Sequence, residues 1–369
     1  MRPLIAALAA TALVGLGPAT TAFAAAEDTG PTADEAVTSA VRWLARRQQP
    51  DGGFDGFLAG AGTPDVVLAL AESAQTEQAW GNRPALERVE SEVSEDGNTP
   101  LDAVRRIARR VDDPQVTARL ITRVALPVGL EAGEEGPLGD LTGSARDWLE
   151  DEDTPFGSRI ELAIALVAAG AELPEGLVDE IVAAQQENGG WNAEGDAQAD
   201  TVDLVTTGAA VDLLALVGAD RTSGAIPAAM AFVGETRDRS GAWPDTHGDR
   251  SASATAGAIR AIQADGHDPA GSCWLSEVGV DADATAPVPA LIALQHEDGS
   301  FDGDNPVRVT SDAVHALSGR WLPLGRAGDA CAPESGGLPF APSLIVLAAI
   351  GVVGVGGGVR IMRGGSAAS

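Results

Sequence analysis

Apolar residues recur at the three-and-four spacing of an amphipathic helix along most of the chain between residues 33 and 319. Sustained two-residue alternation, the mark of a half-buried strand, is missing from the same stretch. The pattern predicts helices over about 33–48, 63–75, 82–94, 99–111, 114–126, 141–150, 156–169, 174–187, 200–217, 225–236, 251–265, 283–296 and 309–319. Thr99-Pro100 gives one of them an N-cap residue followed by the first-turn proline that helices favour. The segment 156–169 is apolar on almost every side, which predicts a buried helix. An all-α molecule without a large sheet follows.

The two ends carry a different pattern. Arg2, an apolar run from Leu4 to Leu16 and the small residues Ala22-Phe23-Ala24 form the three regions of a secretory signal peptide, expected to be removed after residue 24. Ala341 to Val359 is an uncharged stretch followed by Arg360 and Arg363. As a helix rising 1.5 Å per residue it spans about 28 Å, one hydrocarbon core, and the arginines place the tail on the cytoplasmic side. Leu338-Pro339 resembles the start of a sortase signal, but the Thr-Gly pair is missing, so a retained membrane anchor is expected. The expected organisation is a signal peptide (1–24), a linker (25–35), a helical domain (36–322), a stalk (323–340), a transmembrane helix (341–359) and a cytoplasmic tail (360–369).

Within the helical domain a short frame repeats. Gln48-Gln49-Pro50-Asp51-Gly52-Gly53-Phe54 recurs as Gln185-Gln186-Glu187-Asn188-Gly189-Gly190-Trp191 and again as Gln295-His296-Glu297-Asp298-Gly299-Ser300-Phe301. A degenerate copy runs from Arg237 to Trp243. The first and last copies agree further: Thr63 and Thr310 stand at the same distance past the aromatic, as do Asp65 and Asp312. Physically, each unit ends a helix, reverses the chain through glycine, plugs the gap with an aromatic side chain and caps the next helix. The spacing of the later copies suggests units of about fifty residues, a helical-hairpin period.

The frame Q-x-x-x-G-x-[WF] after an apolar helix resembles the repeat of prenyltransferase and squalene-oxidase-type proteins, over roughly residues 36–320. That resemblance implies an α/α toroid, a barrel of about six helical hairpins closing around a central cavity, here with a C-terminal transmembrane helix added. It also implies that the first and last units meet in space. The catalytic motifs of such families do not carry over. The D-x-D-D of class II terpene cyclases is absent, since Asp281-Ala282-Asp283-Ala284 stops at two carboxylates and Asp151-Glu152-Asp153-Thr154 sits in an acidic linker. Protein prenyltransferases hold zinc with an Asp-x-Cys pair, whereas Gly271 stands two positions before Cys273.

Composition then narrows the partners. The chain has 54 acidic and 24 basic residues, a formal charge of -30, which argues against nucleic acid and against an anionic membrane surface. It contains no tyrosine, and every basic residue is arginine, a usage that suggests a GC-rich, actinobacterial source. In an exported protein Cys273 and Cys331 form the expected disulfide, worth about 4 kcal/mol in a chain-entropy model.

Candidate ligand-binding residues are Trp191 and Trp243 (first of all repeat glue), Asp245 and His247 in the loop after Trp243, and Asp312 with His315 at the start of a helix expected to face inward. Asp298, Asp302 and Asp304 have a spacing that calcium can use, though without the EF-hand order, and Asp-Gly turn chemistry explains them without an ion. No catalytic residue and no cofactor is assigned. With the catalytic motifs missing, the sequence points to a membrane-anchored, non-catalytic binding domain for a small ligand or surface partner, a corrinoid being the most specific guess. The alternatives are a terpenoid cyclase-like, prenyltransferase-like or glycan-acting enzyme on the same scaffold, and a structural adhesin.

Overall fold

Helix starts are set locally by capping. Thr32 opens α1 (Ala33–Ala45) with a capping box, its hydroxyl accepting from the Glu35 N–H while the Glu35 carboxylate accepts from the Thr32 N–H. Thr99 and Asp102 repeat the device at α4 (Pro100–Ala108), after α2 (Thr63–Ser73) and α3 (Asn82–Ser91). The structure is a computed structural model. It describes residues 30–326 except 57–59, 77–78, 223, 246, 272, 278, 280–284 and 322–324.

After α4 come α5 (Pro114–Arg119), a π-helical stretch (Leu120–Ala125) and α6 (Leu126–Val128). They are followed by α7 (Leu141–Glu150), α8 (Phe156–Ala168), α9 (Leu177–Ala183) and α10 (Leu204–Leu216). The last helices are α11 (Ala225–Thr236), α12 (Ala252–Ala264), α13 (Cys273–Glu277), α14 (Pro287–Ile292) and α15 (Pro306–Leu317). Two residue pairs, β1 (Arg320–Trp321) and β2 (Gly325–Arg326), form a minimal antiparallel ribbon.

The helices sort into two layers by burial. α2 and α10 are buried along nearly their whole length, and so is α12, as helices apolar on all sides must be. Packed neighbours run α2, the π stretch, α8, α10, α12, α15 and back to α2, a closed inner ring. Shorter, one-faced helices such as α1, α7, α11 and α14 lie outside it. The chain therefore forms an all-α toroid.

The repeat frame supplies the joints. Gln48, Gln185 and Gln295 each donate their side-chain N–H to the carbonyl of the frame glycine, at 3.2, 2.8 and 3.0 Å. Gln185 also reaches Ala225 O on α11, and Gln295 reaches Ala36 O on α1, each at 2.9 Å. The backbone N–H of each frame aromatic, Phe54, Trp191, Trp243 and Phe301, donates to a threonine hydroxyl on the following inner helix. The Trp243 copy belongs to the degenerate unit, so the geometry persists where the glutamine is lost.

The first and last units meet. Trp43 donates its indole N–H to Asp298 at 3.0 Å, and Gln295 crosses to α1. At Gly299, where φ is +97°, a Cβ would lie 2.4 Å from Ser39 O. Only glycine permits that approach.

The expected signal peptide, transmembrane helix and tail fall outside the described residues, as do residues 25–29 of the linker and most of the stalk. No described helix is long and apolar enough to cross a membrane. Cys273 opens α13 and is not free, while Cys331 lies outside the described residues.

Candidate functional site

Every inner helix carries at least one charged residue toward the ring's centre. α2 brings Asp65 and Glu72, α5 and the π stretch bring Arg119 and Arg123, and α8 brings Glu161. α10 brings Asp212, α12 Arg260, and α15 Arg308, Asp312 and His315. The widened π turn spaces Arg119 and Arg123 so that both approach Asp65.

The cluster has a front and a back. Arg123, Glu161, Arg260, Arg308, Asp312 and His315 line a central cavity of about 30 Å³. Asp65, Glu72 and Asp212 stand behind them, each with only 1% of its side chain exposed. Each rear carboxyl holds one front group: Asp65 holds Arg123 at 2.8 Å, Asp212 holds Arg260, and Glu72 holds the His315 ring at 2.5 Å. Arg123 also reaches forward to Asp312 at 2.7 Å, and Arg260 to Glu161 at 3.2 Å. Arg308, at 3.5 Å from Asp312, is the more loosely held cation.

Burial and charge then split the carboxyls. Burial pushes Asp312 up, but Arg123 and Arg308 overcome it and hold the carboxyl at about 2. Burial likewise pushes Glu161 up, and Arg260, Arg123 and Arg119 pull it below its ordinary value. Asp212 goes the other way: burial raises it beyond what Arg260 recovers, and Glu161 adds to the rise. Arg123 and Arg260 are raised despite burial, by Asp65 with Asp312 and by Asp212 with Glu161 respectively.

The residues singled out by sequence divide sharply. Asp312 and His315 stand together in the cavity wall. Trp191 and Trp243 are fully buried and donate their indole N–H groups to Ile181 O and Val233 O at 2.7 and 2.8 Å, so they pack the joints and face no cavity. Asp245 accepts from the backbone N–H groups of His247 and Asp249 in an exposed turn, and neither Asp245 nor His247 lines the central cavity. Asp298 spends its oxygens on Ser300 and Trp43, Asp302 pairs with His296 at 2.9 Å, and Asp304 is exposed. Among the described residues no group of three or more His, Cys, Asp or Glu is placed to hold a metal ion.

Sequence reasoning missed Asp65, Glu72, Arg119, Arg123, Glu161, Asp212 and Arg260 as a site. A signal was present: each is a charge inside a helix that is otherwise buried, as in LVTTGAAVDLLAL and ASATAGAIRAIQA. A charge there is costly unless paired.

No family model and no curated protein matches the sequence. Solved structures match the fold. The type II terpene cyclase MstE from Scytonema superposes with a TM-score of 0.56 at 16% identity, over 78% of this chain and 97% of the cyclase. A variant of that cyclase in complex with its substrate, geranylgeranyl dihydroxybenzoate, gives 0.55 at 15% over 78% and 96%. A protein from Actinoplanes gives 0.52 at 17% over 77% and 98%. The chain thus has the terpenoid cyclase-like α/α-toroid fold. The expectation of a non-catalytic binding domain, with its corrinoid ligand, is corrected here. The matching toroids include cyclases that hold substrate and product, and an enzyme on this scaffold fits the findings better.

Proposed function

We propose that this chain is an enzyme that runs acid–base chemistry at the charged centre of its toroid, with Asp212 as proton donor. One observation carries the reading: Asp212 and Glu161 share Arg260, yet burial drives the first toward its neutral form and three arginines keep the second charged. Carboxyls pushed apart in this way provide an acid and a conjugate anion in one site. Purely structural packing would not favour the cluster, because buried ion pairs are often no more stabilising than apolar residues of the same volume.

The position of the acid differs from the D-x-D-D of the cyclases that the sequence resembles, and so does the space around it. A cavity of about 30 Å³ has room for about two waters. As the side chains stand, Asp212 is screened by Arg260, so the reacting end of a substrate meets the acid only when the Arg260 side chain moves aside. Charges from all six inner helices favour an oxygen-bearing group there over a polyprenyl chain, since guanidinium groups bind oxygen anions and carbonyls through paired N–H donors. The substrate class proposed is therefore compact and oxygenated, in contrast to the long geranylgeranyl substrate of MstE.

Turnover tests this. The purified chain is incubated in deuterated water with small hydroxylated and carboxylated compounds beside a prenylated aromatic acid, and products are read by mass spectrometry. The expected result is conversion of an oxygenated compound with deuterium entering at carbon. Asp212→Asn should slow it by about 10²–10⁴-fold, the usual contribution of a positioned acid. Undiminished turnover by Asp212→Asn would remove the acid from the account. No turnover of any compound, with a more stable Asp212→Asn chain, would make the cluster a structural hub.

A further inference from the structure

His315 is the one imidazole in the central wall, and its two nitrogens have different surroundings. Nδ1 lies 2.5 Å from Glu72 Oε1, an atom of a side chain that is 1% exposed and belongs to the neighbouring inner helix, 243 positions away in sequence. A carboxylate has no hydrogen to give, so the nitrogen that faces it carries the proton. The other nitrogen, Nε2, then holds a lone pair, and it has no hydrogen-bond partner among the described residues. The ring itself lines the cavity with 13% of its side chain exposed. Arg123, Arg260 and Asp312 share that wall, and Asp212 stands behind Arg260.

We infer that His315 is the base of this site, taking a proton from substrate at Nε2, and that Glu72 is the positioning residue that fixes the ring's tautomer and direction. A buried carboxylate behind an imidazole, with the opposite nitrogen turned to the reacting atoms, is the arrangement by which a histidine is set up as a base. The inference rests on the proposed acid–base reading and extends it to a reaction class. Once the Arg260 side chain moves aside, Asp212 gives a proton to one atom of the substrate, and Nε2 removes a proton from another, leaving the bonding pair on the substrate. Substrate and product are then isomers, no co-reactant is consumed, and the proton on His315 returns to Asp212 through cavity water. The class is proton-in, proton-out isomerisation or ring closure.

The glutamate explains itself poorly in any other way. Its second oxygen, Oε2, is buried with no hydrogen-bond partner. A carboxyl placed for stability alone gains nothing from a half-satisfied site. The oxygen that is used, Oε1, holds the ring at 2.5 Å and accepts more loosely from the Ser318 hydroxyl at 3.4 Å.

The tautomer is measurable without a substrate, so this inference can fail while the proposed function stands, and the reverse. The full chain is labelled with ¹⁵N-histidine, and ring nitrogens are read by long-range ¹H–¹⁵N correlation at pH 7.5. The chain contains 4 histidines. His315 is assigned by the signal lost in His315→Asn. If that variant does not fold, the exposed pair is removed with His247→Ala and His296→Ala, and the ring that answers to Glu72→Met is His315. The expected result is one ring fixed as the Nδ1–H tautomer with a bare Nε2, becoming a mixture of tautomers in Glu72→Met. A His315 ring that is protonated on Nε2, on either tautomer's terms or as the doubly protonated cation, overturns the inference. So does a ring that stays fixed as Nδ1–H in Glu72→Met.

Discussion

Asp312 shows how a single side chain is set by its neighbours. Burial alone would favour the neutral acid, but Arg123 at 2.7 Å and Arg308 at 3.5 Å hold the carboxyl at about 2, against an ordinary 3.8. A carboxyl lowered on folding adds stability that is complete above its unfolded pKa and vanishes as pH falls through the folded value. For a shift of this size the term is about 2 kcal/mol. Asp312→Asn is therefore expected to cost a constant amount above about pH 4. That cost should shrink by about 2 kcal/mol as pH approaches 2. Urea unfolding of both chains at pH 7, 4 and 2.5 measures it, and a cost independent of pH would show that Asp312 is not held ionised by its arginines. A second residue-scale expectation concerns Trp191, whose indole N–H is matched to a buried carbonyl. Trp191→Phe keeps most of the ring but orphans Ile181 O, and should cost about 1–3 kcal/mol in the same assay.

Between elements, closure of the ring is what the repeat frame accomplishes. Gly299 is a point of close approach between the last turn and α1. Gly299→Ala combines a left-handed backbone with a clash against Ser39 O, and should cost about 3 kcal/mol or more. Gly97 has a similar φ of +82° with nothing near its Cβ position, so Gly97→Ala should cost only about 1–2 kcal/mol. Equal costs at the two sites would contradict the closure geometry. These joints were legible in the sequence because each is local: glutamine, glycine and aromatic lie within seven residues, and their partners in the next unit repeat at fixed offsets. Thr63 and Thr310 were found that way, and both accept from the frame aromatic, but they lie inside their helices, whose caps are Gly62 and Asn305. Boundaries were less legible. The helix expected over 174–187 is Leu177–Ala183, and α15 starts at Pro306, with Asn305 as its cap, before the expected 309. The short helix Cys273–Glu277 was missed, since five residues carry too little periodicity to read. The stretch 114–126 reads as one helix in sequence, and its π segment is invisible there because the period changes over only six residues.

At the scale of the whole molecule the sequence was least informative, for a physical reason. The central charges come from six helices, and pairs such as Glu72 and His315 or Arg123 and Asp312 are separated by 243 and 189 positions. No short motif records such a meeting. Asp312 and His315 were noticed only because the first and last repeat units matched around them, and their partners on the other helices were not. The correction of the function follows from the same gap. Absence of D-x-D-D removed one place for an acid, whereas the acid proposed here, Asp212, lies on α10 against Arg260 of α12. A ring of inner helices lets any of them present a carboxyl to the centre, so the acid need not lie in the same stretch of chain from one such protein to another.

Asp212 and Glu161 are proposed to occupy opposite protonation states around Arg260, and infrared spectroscopy of the carboxyl stretch reads this directly. The chain is titrated from acid upward, beside Asp212→Asn and Glu161→Gln. The expected result is a protonated-carboxyl band that outlasts the ordinary aspartates as pH rises, absent in Asp212→Asn and retained in Glu161→Gln. A band lost with the ordinary carboxyls, or one that survives in Asp212→Asn, would contradict it.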